Sequence, residues 1–381
     1  MVKKTILFFF RKAINPFKAV RIAIKKGLGM LGDPVILPYN AYGTENKVMI
    51  TGAVIEDKGL ARPEPGQNMW KNILTMVKRY SGDEIAGVRV EISYCGQDII
   101  VRTNERGLFH TILPRKPLPD GTISDTVSYT LIDRLDEGTE TVSAESTAFI
   151  VSSEPEYIVL SDIDDTVLVS HSTKTLKKLR VMMSKNALTR SPFEGVAAFY
   201  RALNKPEEGE KRPVFYVSAS EWNLYDLLVD FFKDKMMPAG PLLLSDVRLS
   251  LFSIFRSGKK FNDKVERIKD LFEHYYLHSF ILIGDSGQED PDIYLKMAEM
   301  YPGRVKAIYI RYIGKKRHNR KLERQAEEAR ELGTEMIVVK TSTEAARHAA
   351  DKGFIDASQI EDVMDEKNLE ESIEEDVEKT V

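Results

Sequence analysis

The sequence predicts an α/β domain, built on a mainly parallel sheet with helices on both faces and preceded by a smaller β-sandwich domain. Three observations lead there. From Tyr157 onward, short apolar runs alternate with longer stretches of helical periodicity, the pattern of right-handed βαβ crossovers. Between residues 47 and 150 the runs are short, alternate apolar with polar, and are parted by Gly, Asn and Asp turns, as in stacked antiparallel sheets. A chain of 381 residues with 43% hydrophobic and 30% charged content is long enough for two globular domains of ordinary composition.

Taken in order, residues 1–32 hold no Asp or Glu but carry Lys3, Lys4, Arg11, Lys12, Lys18, Arg21, Lys25 and Lys26. The apolar run Thr5–Phe10 ends at Arg11-Lys12, too soon for a secretory h-region, and far short of the roughly 20 residues of a membrane span. Asn15-Pro16 reads as a helix start, and Phe17, Val20, Ile24 and Leu28 then recur at helical spacing. Such a basic amphipathic helix can lie on an anionic membrane surface or pack on the protein's own core. Strands are expected at 48–53, 88–94, 99–102, 108–113, 127–132 and 147–151, with one helix at Asn68–Lys78. Nothing catalytic clusters in this part, which reads as a structural or binding module.

After Glu154-Pro155, strands are expected at 157–160, 214–217, 280–283, 305–310 and 336–339. Helices are expected at 195–203, 221–234, 260–274, 291–301, 319–332 and 343–351. The domain plan is therefore a basic segment 1–32, a β-sandwich domain 33–152, an α/β domain 153–352 and an acidic tail 353–381. Residues 361–381 hold ten acids and two lysines and read as a frayed helix or disorder. Cys95 is the single cysteine, which excludes an internal disulfide framework and a Cys-based zinc site and suits a reducing, cytoplasmic compartment.

In open parallel sheets the site forms at the carboxyl ends of the strands, and chemically useful residues fall there. Tyr157–Leu160 runs into Ser161-Asp162-Ile-Asp164-Asp165-Thr166. A carboxylate can attack phosphorus, dividing one hard displacement into two easier ones. A second carboxylate two residues on can protonate the leaving alkoxide and then activate water. Three acids in four residues repel unless a cation joins them, and Mg²⁺ prefers a few carboxylates with phosphate oxygens and water. Taken alone, the string reads equally as an Asp-rich turn closing a strand.

Ser218 ends the next apolar strand with a hydroxyl suited to a phosphate oxygen, although Ser218 or Ser220 serves as well as a helix cap. Lys264 can neutralise charge on the nucleophile and the phosphoryl group, although a lone lysine is usually solvated. Asp285 follows Phe280–Gly284 and can complete the Mg²⁺ site, with Asp290 in a supporting role; a Gly-Asp-Ser-Gly turn is the plainer reading. After Val305–Ile310 comes the cluster Arg311, Lys315, Lys316, Arg317, His318, Arg320 and Lys321. It can guide an anionic headgroup or membrane, or be a solvated helix start.

The order nucleophile, hydroxyl, lysine, metal acid resembles the four motifs of the haloacid dehalogenase superfamily, with Asp162, Asp164, Thr166, Ser218, Lys264 and Asp285 on the motif positions. The resemblance implies a Rossmann-like sheet and a Mg²⁺ ion held by Asp162, the Asp164 backbone carbonyl and Asp285. Several segments are similar to the actin-patch and lipin-like phosphatidate phosphatases and their bacterial relatives. These are Asp162–Thr166 with Val169-Ser170, Pro192–Gly195, Val217–Trp222, Met237–Leu242 and Ile283–Gln288, together with Pro38–Gly43 and Thr103–Phe109 in the β part. The similarity runs over about residues 33–340. Glu221 stands where that group usually has Pro before Trp222, and Ser286 replaces the second Asp of many members.

The expected function is Mg²⁺-dependent hydrolysis of a phosphomonoester through an aspartyl-phosphate, with phosphatidate at a membrane surface as the implied substrate. Ser220, Trp222, Arg311 and Lys315 are candidate substrate contacts. His171, Ser172, Lys174 and Arg190, in a 167–212 insertion too short for a large cap, can line the entrance. The alternatives are a soluble phosphomonoester as substrate, or a binding protein on an idle scaffold; the intact Asp162, Asp164, Lys264 and Asp285 speak against the latter. Nucleic acid is not an expected partner, because the α/β half lacks basic stripes interleaved with aromatics. The expected location is cytoplasmic, with peripheral contact to a membrane.

Overall fold

A computed structural model of the chain describes residues 33–56, 84–117, 125–133, 141–153, 157–163, 195–205, 211–222, 225–245, 257–312 and 319–380. The expected helix Asn68–Lys78 and the basic segment 1–32 lie outside them. The chain divides into two compact units, Met1–Ile150 and Val151–Val381.

The first unit holds β1 (Pro34–Thr44), β2 (Lys47–Glu56), β3 (Arg89–Tyr94), β4 (Gln97–Arg102), β5 (Leu108–Pro114), β6 (Thr126–Leu131), β7 (Ser143–Thr147) and β8 (Phe149–Val151). They form two four-stranded sheets, ordered β5-β2-β1-β8 and β4-β3-β6-β7. Antiparallel pairing joins β1 to β2 and β2 to β5 in one, and β3 to β4 and β6 in the other. Alternate residues face inward, as a period of two requires: Val48, Ile50 and Val54 from one sheet share a core with Val90, Ile92, Tyr94, Val127 and Tyr129 from the other. The β3–β4 hairpin turns at Cys95-Gly96, both at positive φ (48° and 68°), which suits the right-handed twist of the flanking strands. β1 is not among the expected strands, and its Pro34 and Pro38 are uncommon residues for an interior strand. The strand accommodates Pro38 at a register shift between Pro38 and Asn40.

The second unit holds β9 (Tyr157–Asp162), β10 (Val214–Glu221), β11 (Leu242–Ser245), β12 (Ser279–Asp285), β13 (Val305–Arg311) and β14 (Glu335–Val339). Its helices are α1 (Val196–Asn204), α2 (Tyr225–Asp234), α3 (Ser257–His274), α4 (Asp290–Met300), α5 (Asn319–Glu331), α6 (Ser342–Asp351) and α7 (Gln359–Thr380). The six strands form one sheet in the order β11-β10-β9-β12-β13-β14, with every pair parallel. Its strands read as near-continuous apolar runs because both faces are covered. Tyr157, Val159, Val214, Tyr216, Ile281 and Tyr309 pack with residues of α1, α2, α6 and α7. On the opposite face Phe215 meets Tyr275, at a ring-centroid distance of 5.3 Å, and Phe280 stacks on Phe272 of α3 at 3.9 Å.

Chain order runs outward from the middle of this sheet in both directions: β9, β10, β11 to one side and β12, β13, β14 to the other. The reversal lies between β9 and β12, and crevices at such switch points, outside the carboxyl ends of the strands, are where ligands bind in open α/β sheets. Two corrections to the sequence reading follow, and of the two readings of the acidic tail the structure has the helix. β10 runs on through Glu221, so the helix expected at 221–234 starts at Tyr225. Leu242–Leu244 belong to a strand of their own, β11. The acidic tail forms α7, with Val363 fully buried.

Candidate active site

Asp162 is the last residue of β9 and Asp285 the last of β12, so the two strands beside the switch point each end in a carboxylate. The register Leu282↔Leu160 and Ile283↔Ser161 sets the ends side by side. One carboxylate oxygen from each of Asp162, Asp285 and Asp290 lies within 4.8 Å of the others. Three acids at that separation need positive charge between them. Lys264, on α3 and buried, supplies part of it: its Nζ is 2.5 Å from Asp162 Oδ1 and 2.6 Å from Asp290 Oδ1. An ammonium removed from water is tolerated here because it is paired on two sides.

Asp290 opens α4 and is fully buried. Its second oxygen accepts from the Asp285 amide at 3.0 Å, so the carboxylate spans the end of β12 and the amine of Lys264. The space it fills exists because residue 284 is glycine: a Cβ there would lie 2.4 Å from Asp290 Oδ2. Asp285 is oriented in turn, accepting from the Gly287 amide at 2.6 Å and from Gln288 Nε2 at 3.4 Å.

Ser218 is fully buried on β10, one residue beyond Val217, which pairs with Asp162; the Ile163 amide donates to the Val217 carbonyl at 3.0 Å. Arg311, half-buried at the end of β13, pairs in register with Asp285, and its carbonyl accepts from the Ser286 amide at 2.8 Å. Trp222, half-buried, packs on the core beside Tyr225, their ring centroids 6.3 Å apart. The structure thus brings Asp162, Ser218, Lys264, Asp285 and Arg311 to one edge of the sheet. Asp164, Thr166, Lys315, the Ser220 side chain, and the insertion residues His171, Ser172, Lys174 and Arg190 lie outside the described residues.

Sequence reading underrated Asp290 and missed a buried hydroxyl chain beneath the nucleophile candidate. Ser161 Oγ lies 2.5 Å from Tyr200 OH and donates to the Asp162 carbonyl at 3.1 Å. Burial pushes the Tyr200 hydroxyl well up, against the effect of the Ser161 bond, and the charges of Asp162 and Asp290 add to the rise. Tyr294 donates to the Ile283 carbonyl at 2.8 Å and is raised by burial and then by Asp290 and Asp162. The Ser before Asp162 was legible as a residue; that it meets a helix 39 positions on was not.

Residues 157–312 match the family described as phosphatidate phosphatase APP1, catalytic domain. The chain is 28% identical over 153 residues to phosphatidate phosphatase APP1 of Saccharomyces cerevisiae, covering 40% of this chain and 25% of that protein. It is 29% identical over 156 residues to an uncharacterised protein of Schizosaccharomyces pombe, covering 40% and 24%. The chain therefore spans about a quarter of the length of these relatives. Among solved structures, a carbohydrate acetylesterase from Xanthomonas citri aligns with 81% of this chain and 68% of its own at 9% identity, but its TM-score of 0.27 carries no argument. With an acid cluster and buried lysine at the carboxyl edge of its parallel sheet, the chain is similar over residues 157–312 to the phosphatidate phosphatase APP1 catalytic domain.

Proposed function

We propose that this chain is a Mg²⁺-dependent phosphatase that hydrolyses a phosphomonoester through an aspartyl-phosphate, with phosphatidate at a membrane surface as its substrate and diacylglycerol as product. The observation that carries the proposal is the buried Lys264 ammonium between Asp162 and Asp290, with Asp285 alongside, at the switch point of a parallel sheet. The match to an APP1-type catalytic domain supports the substrate class.

The donor set fits the metal: three carboxylates offering oxygen only, as a hard divalent cation requires, with no nitrogen or sulfur ligand in the cluster. Asp162, the Asp164 backbone carbonyl and Asp285 would hold it. When bound, Mg²⁺ supplies positive charge that offsets the phosphoryl oxygens. Asp162 then attacks phosphorus and the substrate alkoxide leaves with a proton from Asp164; Asp164 next takes a proton from the water that releases phosphate. Lys264 pairs with Asp162 and meets charge that builds on the phosphoryl group, while Ser218 donates to one of its oxygens. Asp290 keeps Lys264 aimed. Arg311 and Trp222, with Ser220 and Lys315, contact the substrate; the basic segment 1–32 draws the protein to an anionic leaflet, as a cytoplasmic enzyme peripheral to the membrane. The two-sheet unit is a β-sandwich that serves as a structural or binding module. Among the described residues no helix is long and apolar enough to cross a membrane.

The test is phosphate release with and without Mg²⁺, from phosphatidate in anionic vesicles and from soluble phosphomonoesters. Preference for vesicles that weakens when residues 2–30 are removed supports the membrane version. Equal turnover of soluble esters by the shortened chain favours the soluble alternative, and release from neither substrate removes the proposal.

A further inference from the structure

β10 and β11 pair at Tyr216↔Leu242 and Val217↔Leu243, and next at Glu221↔Ser245. Four steps along β10 thus match two along β11, so the ladder breaks where Ser218 begins. Irregularities of this kind bend a strand and re-aim its side chains, and they gather beside active sites. They also leave buried carbonyls in need of donors from elsewhere. At this break the carbonyls of Ser218 and Leu243 both accept from Nη1 of Arg267, at 2.6 and 3.0 Å. Arg267 lies on α3 three residues after Lys264, so the two side chains leave the same face of the helix. One turn of α3 therefore sends an ammonium to Asp162 and Asp290 and a guanidinium into the broken end of the β10–β11 ladder.

We propose that Arg267 is a positioning residue for the phosphatase reaction. It pins the Ser218 backbone, and with it the hydroxyl assigned to the phosphoryl group, in fixed relation to Lys264 on the same helix. A guanidinium suits the task because the two hydrogens of Nη1 are held in the fixed plane of the group, one for each carbonyl. This rests on the phosphatase reading above and adds to it a residue that does not touch the reacting atoms.

The experiment compares full-length wild type, R267M, S218A and the R267M/S218A double variant, with p-nitrophenyl phosphate and phosphatidate vesicles in Mg²⁺, below each variant's melting temperature. The expected result is a fall in kcat of about 10- to 100-fold for R267M, the scale of a small misplacement of a reacting group, with KM within about threefold of wild type. Because Arg267 acts through Ser218, the double variant is no slower than S218A alone, the non-additivity of groups that work as a unit. A purely structural arginine would lower the melting temperature and leave kcat of the folded enzyme intact; that result, or losses that multiply in the double variant, overturns the proposal. If R267M does not fold, R267Q, which keeps a polar end but is two bonds too short for the contacts of Nη1, is judged by the same criteria. An inactive wild type removes the phosphatase reading along with this one, whereas an active wild type with a fully active R267M removes this one alone.

Discussion

Asp290 can lie flat against the end of β12 only while residue 284 lacks a side chain, since a methyl there would also come within 2.7 Å of Asp290 Cβ. Gly284→Ala should therefore push Asp290 off the Asp285 amide and away from Lys264. We expect a loss of at least roughly 100-fold in kcat, because one small displacement disturbs two ion-pair partners; activity within threefold of wild type would show that Asp290 does not aim the lysine. Asp162→Asn is expected to abolish phosphate release while the protein still melts cooperatively, since Lys264 keeps Asp290 as a partner. Full Mg²⁺-dependent activity in that variant would exclude Asp162 as nucleophile. Ser161→Ala tests the buried hydroxyl chain: it strands the Tyr200 hydroxyl in the interior, where an unmet polar group costs about 1–3 kcal/mol. A lowered melting temperature together with slower turnover is expected; an unchanged melting temperature would mean that Tyr200 finds another partner.

Elements were legible where packing imposes a simple pattern. The parallel strands could be read from their unbroken apolar runs, and their ends gave Asp162 and Asp285 directly. Asp290 was underrated because its importance depends on Gly284, and Arg267, Ser161 and Tyr200 act through contacts made only on folding. β11 spans four residues, shorter than any periodicity can show, and the acids of α7, whose like charges repel, left helix and disorder both open. The α3 helix shows such repulsion on a smaller scale. Burial and the nearby Glu273 and Glu266 raise the Asp270 carboxyl, with Lys269 acting the other way. An acid whose pKa is raised on folding favours the folded state below its unfolded value, and that contribution is lost as pH rises through the folded value. At neutral pH the ionised Asp270 therefore weakens the helix, as like charges one turn apart do, by about 0.2–0.5 kcal/mol per pair. Asp270→Asn should raise the melting temperature by about 1 °C at pH 7, and the gain should shrink as pH falls through the carboxylate range. A gain that persists at pH 3 would point to helix propensity rather than charge.

At the scale of the second unit, the candidate-site edge is braced from behind by α7. Gln359, at the start of α7, donates through Nε2 to the Lys205 carbonyl at the end of α1. Val363 is buried, and its carbonyl lies so close to Gly195 that a Cβ on that residue would come within 2.6 Å. The Glu366 carboxylate then accepts from the Ala198 amide at 2.8 Å and pairs with Arg201. A carboxylate among the free amides of a helix N-terminus meets both their hydrogen-bonding need and the positive end of the helix dipole, each worth about 0.3–1 kcal/mol. α1 carries Tyr200, which meets Ser161, which in turn bonds the Asp162 carbonyl. Contacts therefore run unbroken from the acidic C-terminal helix to the proposed nucleophile. Three residues after Glu366, Leu369 is 61% exposed. Two truncations should consequently behave differently. A chain ending at Asn368 keeps Val363 and Glu366, and should match the full chain in melting temperature and kcat. A chain ending at Ile355 uncovers the N-terminus of α1, and should lose several degrees and most of its turnover, with Glu366→Ala falling between the two. Equal activity in the two truncated chains would show that α7 only covers the surface, and that the hydroxyl chain beneath Asp162 holds its place without it.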